Sequence, residues 1–207
     1  MAYRRTVRTE ARLAATRERV IEAALALVAE GGWAAAGVAA VAARAGISTG
    51  AVYRHFASKG DLCAEVFRRA SQHELDVLGS VAARPGQAAD ERLAAVVATF
   101  VRRALEGRRL AYALLAEPAG PAVEAERLGF RRRYRDLFAG LVAFATTAGA
   151  APRQDEQLAA AALVGAVAET LLGPLAPDTD DRDPEGLVAA LTGLALRTAG
   201  VEAAHAH

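Results

Sequence analysis

The sequence predicts an all-α protein of about nine helices, four short or medium ones at the front and five behind. Three observations predict it. Apolar residues recur at helical spacing nearly everywhere along the 207 residues. No stretch shows the two-residue alternation of a half-buried strand. Capping residues and glycine or proline breakers punctuate the chain at intervals that suit helices.

In Thr16–Glu30, Val20, Ala24, Leu27 and Val28 share one face, with Ile21 and Leu25 beside them. Gly31-Gly32 then stops the helix. A short helix fits Val38–Ala45 and ends at Gly46; Ser48 caps another that runs to about His55. Ser58 and Asp61 have the spacing of a capping box, opening a longer helix with Leu62, Val66 and Phe67. Arg84-Pro85-Gly86 breaks it. Asp90–Glu106 is amphipathic, and Gly107 and the Pro118–Pro121 stretch bracket a short helix holding Leu110, Leu114 and Leu115.

From Ala122 to about Thr147 runs a long helix whose apolar stripe is Phe130, Tyr134, Leu137, Phe138, Leu141 and Phe144. Arg127, Arg131 and Arg135 form a charged stripe elsewhere on it, read as a solvated face in preference to an anion site. Gln154–Leu172 is apolar around most of its circumference. Asp183-Pro184-Glu185 is a cap followed by proline at the first helical position, leading into Leu187, Leu191 and Leu194. The tail Val201–His207 is expected to fray. No internal repeat of 20–50 residues is visible.

Composition narrows the function. With 53% hydrophobic residues the chain can bury a core, which excludes wholesale disorder. Lys and Arg number 25 against 24 Asp and Glu, so any basic surface is local. The single Cys63 excludes a disulfide framework and a multi-thiolate metal site, and reads as a small core residue in a reducing compartment. His73, His205 and His207 lack ligand spacing, so no metal or cofactor is expected. No apolar region follows the N-terminal arginines as in an export signal. Leu158–Leu172 falls short of the roughly 20 residues that span a bilayer and carries Glu169. The expectation is a soluble, cytoplasmic protein with no membrane partner. Residues 1–61 hold nine basic against five acidic side chains, an excess of four, so the remainder carries a net −3 of the overall +1. A basic front suggests nucleic-acid contact there.

The stretch Val38–Lys59 concentrates the chemistry. Two short helices joined at Gly46 make the helix-turn-helix pattern, with glycine supplying the positive φ of a sharp turn. Val41, Ile47, Val52 and Phe56 are spaced to pack inward, leaving Ser48, Thr49, Gly50, Tyr53, Arg54 and His55 outside. Small residues at the start of the second helix let its N-terminus approach base edges, and its N–H groups favour phosphate.

The Gly32-Trp33 pair, the Ala45-Gly46-Ile47-Ser48 turn, and Val52-Tyr53-Arg54-His55-Phe56 leading to Ser58-Lys59 resemble the DNA-binding domain of TetR-family transcriptional regulators. The resemblance covers about residues 16–67 and is most specific at the Tyr-x-His-Phe-x-x-Lys ending. It implies a helix-turn-helix reading head at 1–61 and, at 62–207, a helical domain for effector binding and dimerisation. It implies that Thr49 and Gly50 meet base edges, that Tyr53 and His55 reach base, sugar or phosphate, and that Lys59 anchors the backbone. Arg44 is a further phosphate candidate, and Tyr3–Arg12 a flexible arm. Trp33 reads as a core plug. One departure is Ala36-Gly37 where the family has hydroxyl residues, which removes a side-chain contact and weakens the cap by roughly 1 kcal/mol.

The expected partners are a double-stranded DNA operator, a small-molecule effector and a second copy of the chain docked through the last two helices. Phe100, Tyr112, Phe130, Tyr134 and Phe138 are the candidate effector pocket. Glu169, a carboxylate in an apolar helix, is either a pocket group or an interface group. Beside this repressor reading stand an effector-independent DNA binder controlled by a protein partner and, third, a helical enzyme. No nucleophile–base pair or phosphate-binding glycine loop supports the last.

Overall fold

The computed structural model describes residues 2–177, 179 and 183–201, with side chains from residue 9 onward. The described residues form nine helices and no strand: α1 Ala2–Ala35, α2 Val38–Ala45, α3 Thr49–Tyr53, α4 Lys59–Ala82, α5 Ala89–Glu106, α6 Arg108–Leu115, α7 Pro121–Thr147, α8 Glu156–Leu175 and α9 Pro184–Thr198. Local chemistry sets the boundaries. The Ser48 hydroxyl accepts from the Ala51 N–H (3.2 Å) and the Ser58 hydroxyl from the Asp61 N–H (3.1 Å). Asp155 Oδ1 accepts from the N–H groups of Gln157 and Leu158, and Asp183 Oδ1 from that of Gly186. Pro121 and Pro184 occupy first turns, where a missing N–H goes unnoticed.

Three boundaries differ from the sequence reading. The α1 backbone is helical from Ala2, so the arm expected at Tyr3–Arg12 is a helical extension; the side chains of 2–8 lie outside the described residues. The stop at Gly31-Gly32 is a kink, Gly32 standing at φ 71°, ψ −168°, with one more turn to Ala35. The eighth helix runs past Leu172 to Leu175 and absorbs Pro174, so at 20 residues it is long and apolar enough to cross a membrane by length and composition. Its inner residues Ala160, Leu163, Val167 and Leu171 are instead buried in the rear core. The tail expected to fray lies, beyond Val201, outside the described residues, as do His205 and His207.

The core has two parts. The front cluster packs Val20, Ala24 and Val28 of α1 against Val41, Val52 and Phe56, and is roofed by Ala113 of α6 and Val123 and Phe130 of α7. The rear cluster joins α5, α7, α8 and α9 around Val97, Val142, Leu163, Leu171 and Leu191. The long fourth helix serves both, giving Leu62, Val66 and Phe67 to the front and Leu78 and Val81 to the rear. A rigid rod of about 36 Å, at 1.5 Å per residue, therefore ties the helix-turn-helix to the rear bundle.

Candidate DNA-binding face and effector cavity

The helix-turn-helix is built on Gly46, which adopts the left-handed conformation at φ 67° and ψ 37° while the Ile47 N–H bonds back to Ala42. This turn seats α3 against α2, which packs on α1, and buries Val41, Val52 and Phe56, with Ile47 half-buried. The opposite face presents Ser48, Thr49, Gly50, Arg54 and Lys59, all exposed, with His55 half-buried. Tyr53 is 52% exposed, which a core-packing aromatic would not be. A Cβ added at Gly50 would meet nothing within 4 Å, so the fold itself has no need of glycine there.

Two candidate contacts have qualifications. The Arg44 guanidinium pairs with Glu30 at 2.8 Å, an exposed bond worth about 0.2–1 kcal/mol that a phosphate must displace. The second helix starts at Gly37 with no side-chain cap, and Ala36 is buried, so only backbone N–H groups face out at that end.

Behind this head, α1, α4, α5, α6, α7 and α8 enclose a cavity of about 670 Å³. Phe100, Phe130, Tyr134 and Phe138 stand in its wall. Phe100 meets Tyr134 edge-on at 6.0 Å, and Phe130 meets Phe67 at 5.9 Å. Tyr112 and Glu169 do not line it, which corrects the sequence expectation. Leu110, Ala111, Leu114 and Leu115 are the cavity side of α6, and Tyr112 packs on the rear core instead. On α8 the cavity side is Val164, Val167 and Ala168; Glu169, the next residue round, is exposed.

The charged groups of the wall are mostly neutralised. Arg103 Nε donates to both carboxylate oxygens of Glu74, at 2.9 and 3.1 Å. Arg127 is only 12% exposed and donates to the carbonyls of Leu114 (2.9 Å) and Glu117 (3.0 Å) besides pairing with Glu124. This corrects its reading as a solvated residue. Arg127 falls three and seven residues before Phe130 and Tyr134, on the apolar face, and that spacing was the signal in the sequence. Burial pushes the Tyr134 hydroxyl far above its ordinary value of 10.0, helped by the Glu74 carboxylate.

A polar clasp joins this wall to the head. The Trp33 indole N–H donates to the Ala113 carbonyl at 2.9 Å. Arg109 holds both oxygens of Glu117, at 2.9 and 3.0 Å, and donates to the Gly31 carbonyl at 3.0 Å. Arg109 carries no sequence pattern that would have singled it out. Among the described residues no group of three His, Cys, Asp or Glu side chains could hold a metal.

Residues 20–66 match the family model described as bacterial regulatory proteins, tetR family. No curated protein matches the chain. Among solved structures, a tetR-family bacterial regulatory protein from Rhodococcus RHA1 is 25% identical, covering 91% of this chain and 98% of its own, with a TM-score of 0.68. The fatty acid degradation regulator FadR from Bacillus halodurans is 21% identical over 86% of this chain and 97% of its own, at a TM-score of 0.74. FadR from Bacillus subtilis, in complex with stearoyl-CoA, is 20% identical over 89% and 99%, also at 0.74.

Proposed function

We propose that the chain is a TetR-family transcriptional regulator that works as a dimeric cytoplasmic repressor, released from a near-palindromic operator by a small-molecule effector. In this reading residues 1–61 are the reading head and 62–207 the effector-binding and dimerisation domain. Ser48, Thr49, Gly50, Tyr53, Arg54 and His55 face the major groove, and Lys59 and Arg44 hold phosphates.

The observation that carries the reading is that one helix serves two masters. The sixth helix lines the 670 Å³ cavity with Leu110 and Leu114, and also accepts the Trp33 indole and packs Ala113 into the front core. A ligand that moves α6 therefore moves what α1 rests on. The cavity exceeds the roughly 300 Å³ at which small-molecule sites begin, which favours effector control over control by a protein partner. The stearoyl-CoA held by the Bacillus subtilis neighbour supports a ligand role for this fold. An effector that prefers the conformation with wrongly spaced heads shifts the population off DNA.

The dimer supported here uses the outer face of α8, where Leu158 is 70% exposed and Ala161, Ala162, Gly165 and Glu169 follow on the same side. Paired with α9 and their copies, this gives a four-helix interface. Twofold symmetry then places the half-sites about 34–36 Å apart, or slightly more. The test is binding of the purified protein to labelled DNA from its own upstream region across a salt series, with an unrelated duplex as control. Tight, salt-dependent, sequence-preferring binding by a dimer is expected. Equal weak binding to both duplexes contradicts the reading.

A further inference from the structure

The polar groups of the cavity divide into those already satisfied and those left open. Glu74 and Arg103 bind each other, and Arg127 is taken by carbonyls of α6 and the loop after it. No hydrogen bond joins the hydroxyl of Ser71 or of Tyr134 to another described residue, though Ser71 is only 4% exposed and both line the cavity. Both residues line the cavity, so each hydroxyl is available to an acceptor on a ligand. The Tyr134 phenol stays protonated, so it offers a donor and not a charge. Arg69 is paired with Glu18, and the exposed Glu22 and Glu106 share the cavity lining with Arg131 and His73. That mixture is no clamp for a multiply charged anion.

Resting on the reading of this cavity as the effector site, we propose that its ligand is an uncharged aliphatic carbonyl compound, a ketone or ester whose oxygen accepts from Tyr134 and Ser71 while its chain fills the apolar wall. The inner wall disfavours a carboxylate, since its cations are already taken, Arg103 by Glu74 and Arg127 by Glu124 and carbonyls, and moving an unpaired charge out of water is far costlier than moving a carbonyl. The balanced charge of the lining disfavours a coenzyme A thioester, so the ligand differs in class from that of the stearoyl-CoA complex.

The test is calorimetric titration of the full-length protein with octane, methyl octanoate, a methyl ketone of matched length, octanoate and octanoyl-CoA. The ester and ketone are expected to bind about threefold to tenfold more tightly than octane, the range of one neutral hydrogen bond. Octanoate and octanoyl-CoA are expected at least about tenfold weaker than the ester. Tyr134→Phe and Ser71→Ala each move the ester part of the way to octane, and the double variant brings it there; unchanged melting curves verify that the variants fold. Octanoate or octanoyl-CoA matching the ester overturns the proposal, as does an ester preference that survives in the Tyr134→Phe/Ser71→Ala double variant. Equal binding of all five compounds overturns the carbonyl assignment and leaves the cavity an effector site. Binding of none overturns both.

Discussion

Gly32→Ala tests the clasp between head and rear domain. Gly32 sits at φ 71°, ψ −168°, a region that side chains other than hydrogen enter at a cost of about 1–3 kcal/mol. A Cβ built there would lie 1.7 Å from the Arg109 Nη2 and 2.3 Å from the Glu117 Oε2, so both side chains must leave. The Arg109–Glu117 pair is three-quarters buried, and loss of its charge-assisted bonds and of the bond to Gly31 adds about 1.5–3 kcal/mol. The sum is about 2.5–6 kcal/mol. For a chain of this size each kcal/mol lowers Tm by about 2–4 °C, giving a fall of about 5–24 °C. The assay is thermal unfolding at fixed protomer concentration, because melting of a dimer depends on it. Repeating the substitution in an Arg109→Ala/Glu117→Ala background separates the two parts. There both side-chain clashes are relieved, and only the backbone share of about 1–3 kcal/mol remains. A fall below about 1 kcal/mol in the native background, or an equal loss in both backgrounds, refutes the reasoning.

Three further predictions concern the head, the dimer and the thiol. Lys59→Ala should weaken operator binding evenly across sequences and reduce the slope of log K against log salt by about 1, whereas Tyr53→Ala should weaken the operator more than an unrelated duplex; a salt titration on both DNAs reads the difference. Leu158→Glu, on the exposed side of α8, should convert dimer to monomer by light scattering and take operator affinity with it. Burial pushes the Cys63 thiol above its ordinary 9.0, with Lys59 opposing weakly, so alkylation at neutral pH should be slow until the protein unfolds. With the folded value raised, the unfolded chain loses its proton first. Stability is therefore intact below pH 9.0 and declines as pH climbs from there toward the folded value, which denaturant melts in alkaline buffer will show.

Helix positions were legible because their signals are local. Ser48, Ser58 and Asp183 each cap through an N–H two or three residues along, and those bonds form with little regard for the rest of the fold. The outward set from Ser48 to Lys59 was legible for the same reason, since Gly46 and the inward Val41, Val52 and Phe56 fix which side remains. The cavity was only half legible. Phe100, Phe130, Tyr134 and Phe138 were named because large aromatics on inward faces must meet somewhere. Tyr112 failed because its orientation depends on how α6 is rotated against its neighbours, and Glu169 stayed open between pocket and interface because a nearly all-apolar helix such as α8 carries no moment to reveal its rotation. Arg127 was misread because its place in an arginine stripe outweighed its spacing to Phe130 and Tyr134, and the carbonyls that its long side chain reaches lie on another element.

The Trp33 indole bond offers the sharpest test of how ligand and DNA communicate. Coupling between two sites is typically about 1–3 kcal/mol, or about fivefold to 150-fold in affinity. One buried hydrogen bond supplies about 0.5–1.5 kcal/mol, so the bond from Trp33 to Ala113 can carry a sizeable share of it. Trp33→Phe keeps the apolar plug in the front core and removes only that donor. The ratio of operator affinities without and with ligand should then fall by about twofold to tenfold, while ligand affinity for the DNA-free protein changes little. The second expectation follows from geometry. Trp33 lies in the front core and outside the cavity wall, and its indole donor meets that wall through Ala113 of α6. An unchanged ratio means that the signal bypasses α6 and travels along α4, whose Phe67 and Ser71 line the cavity while Leu62 supports the head.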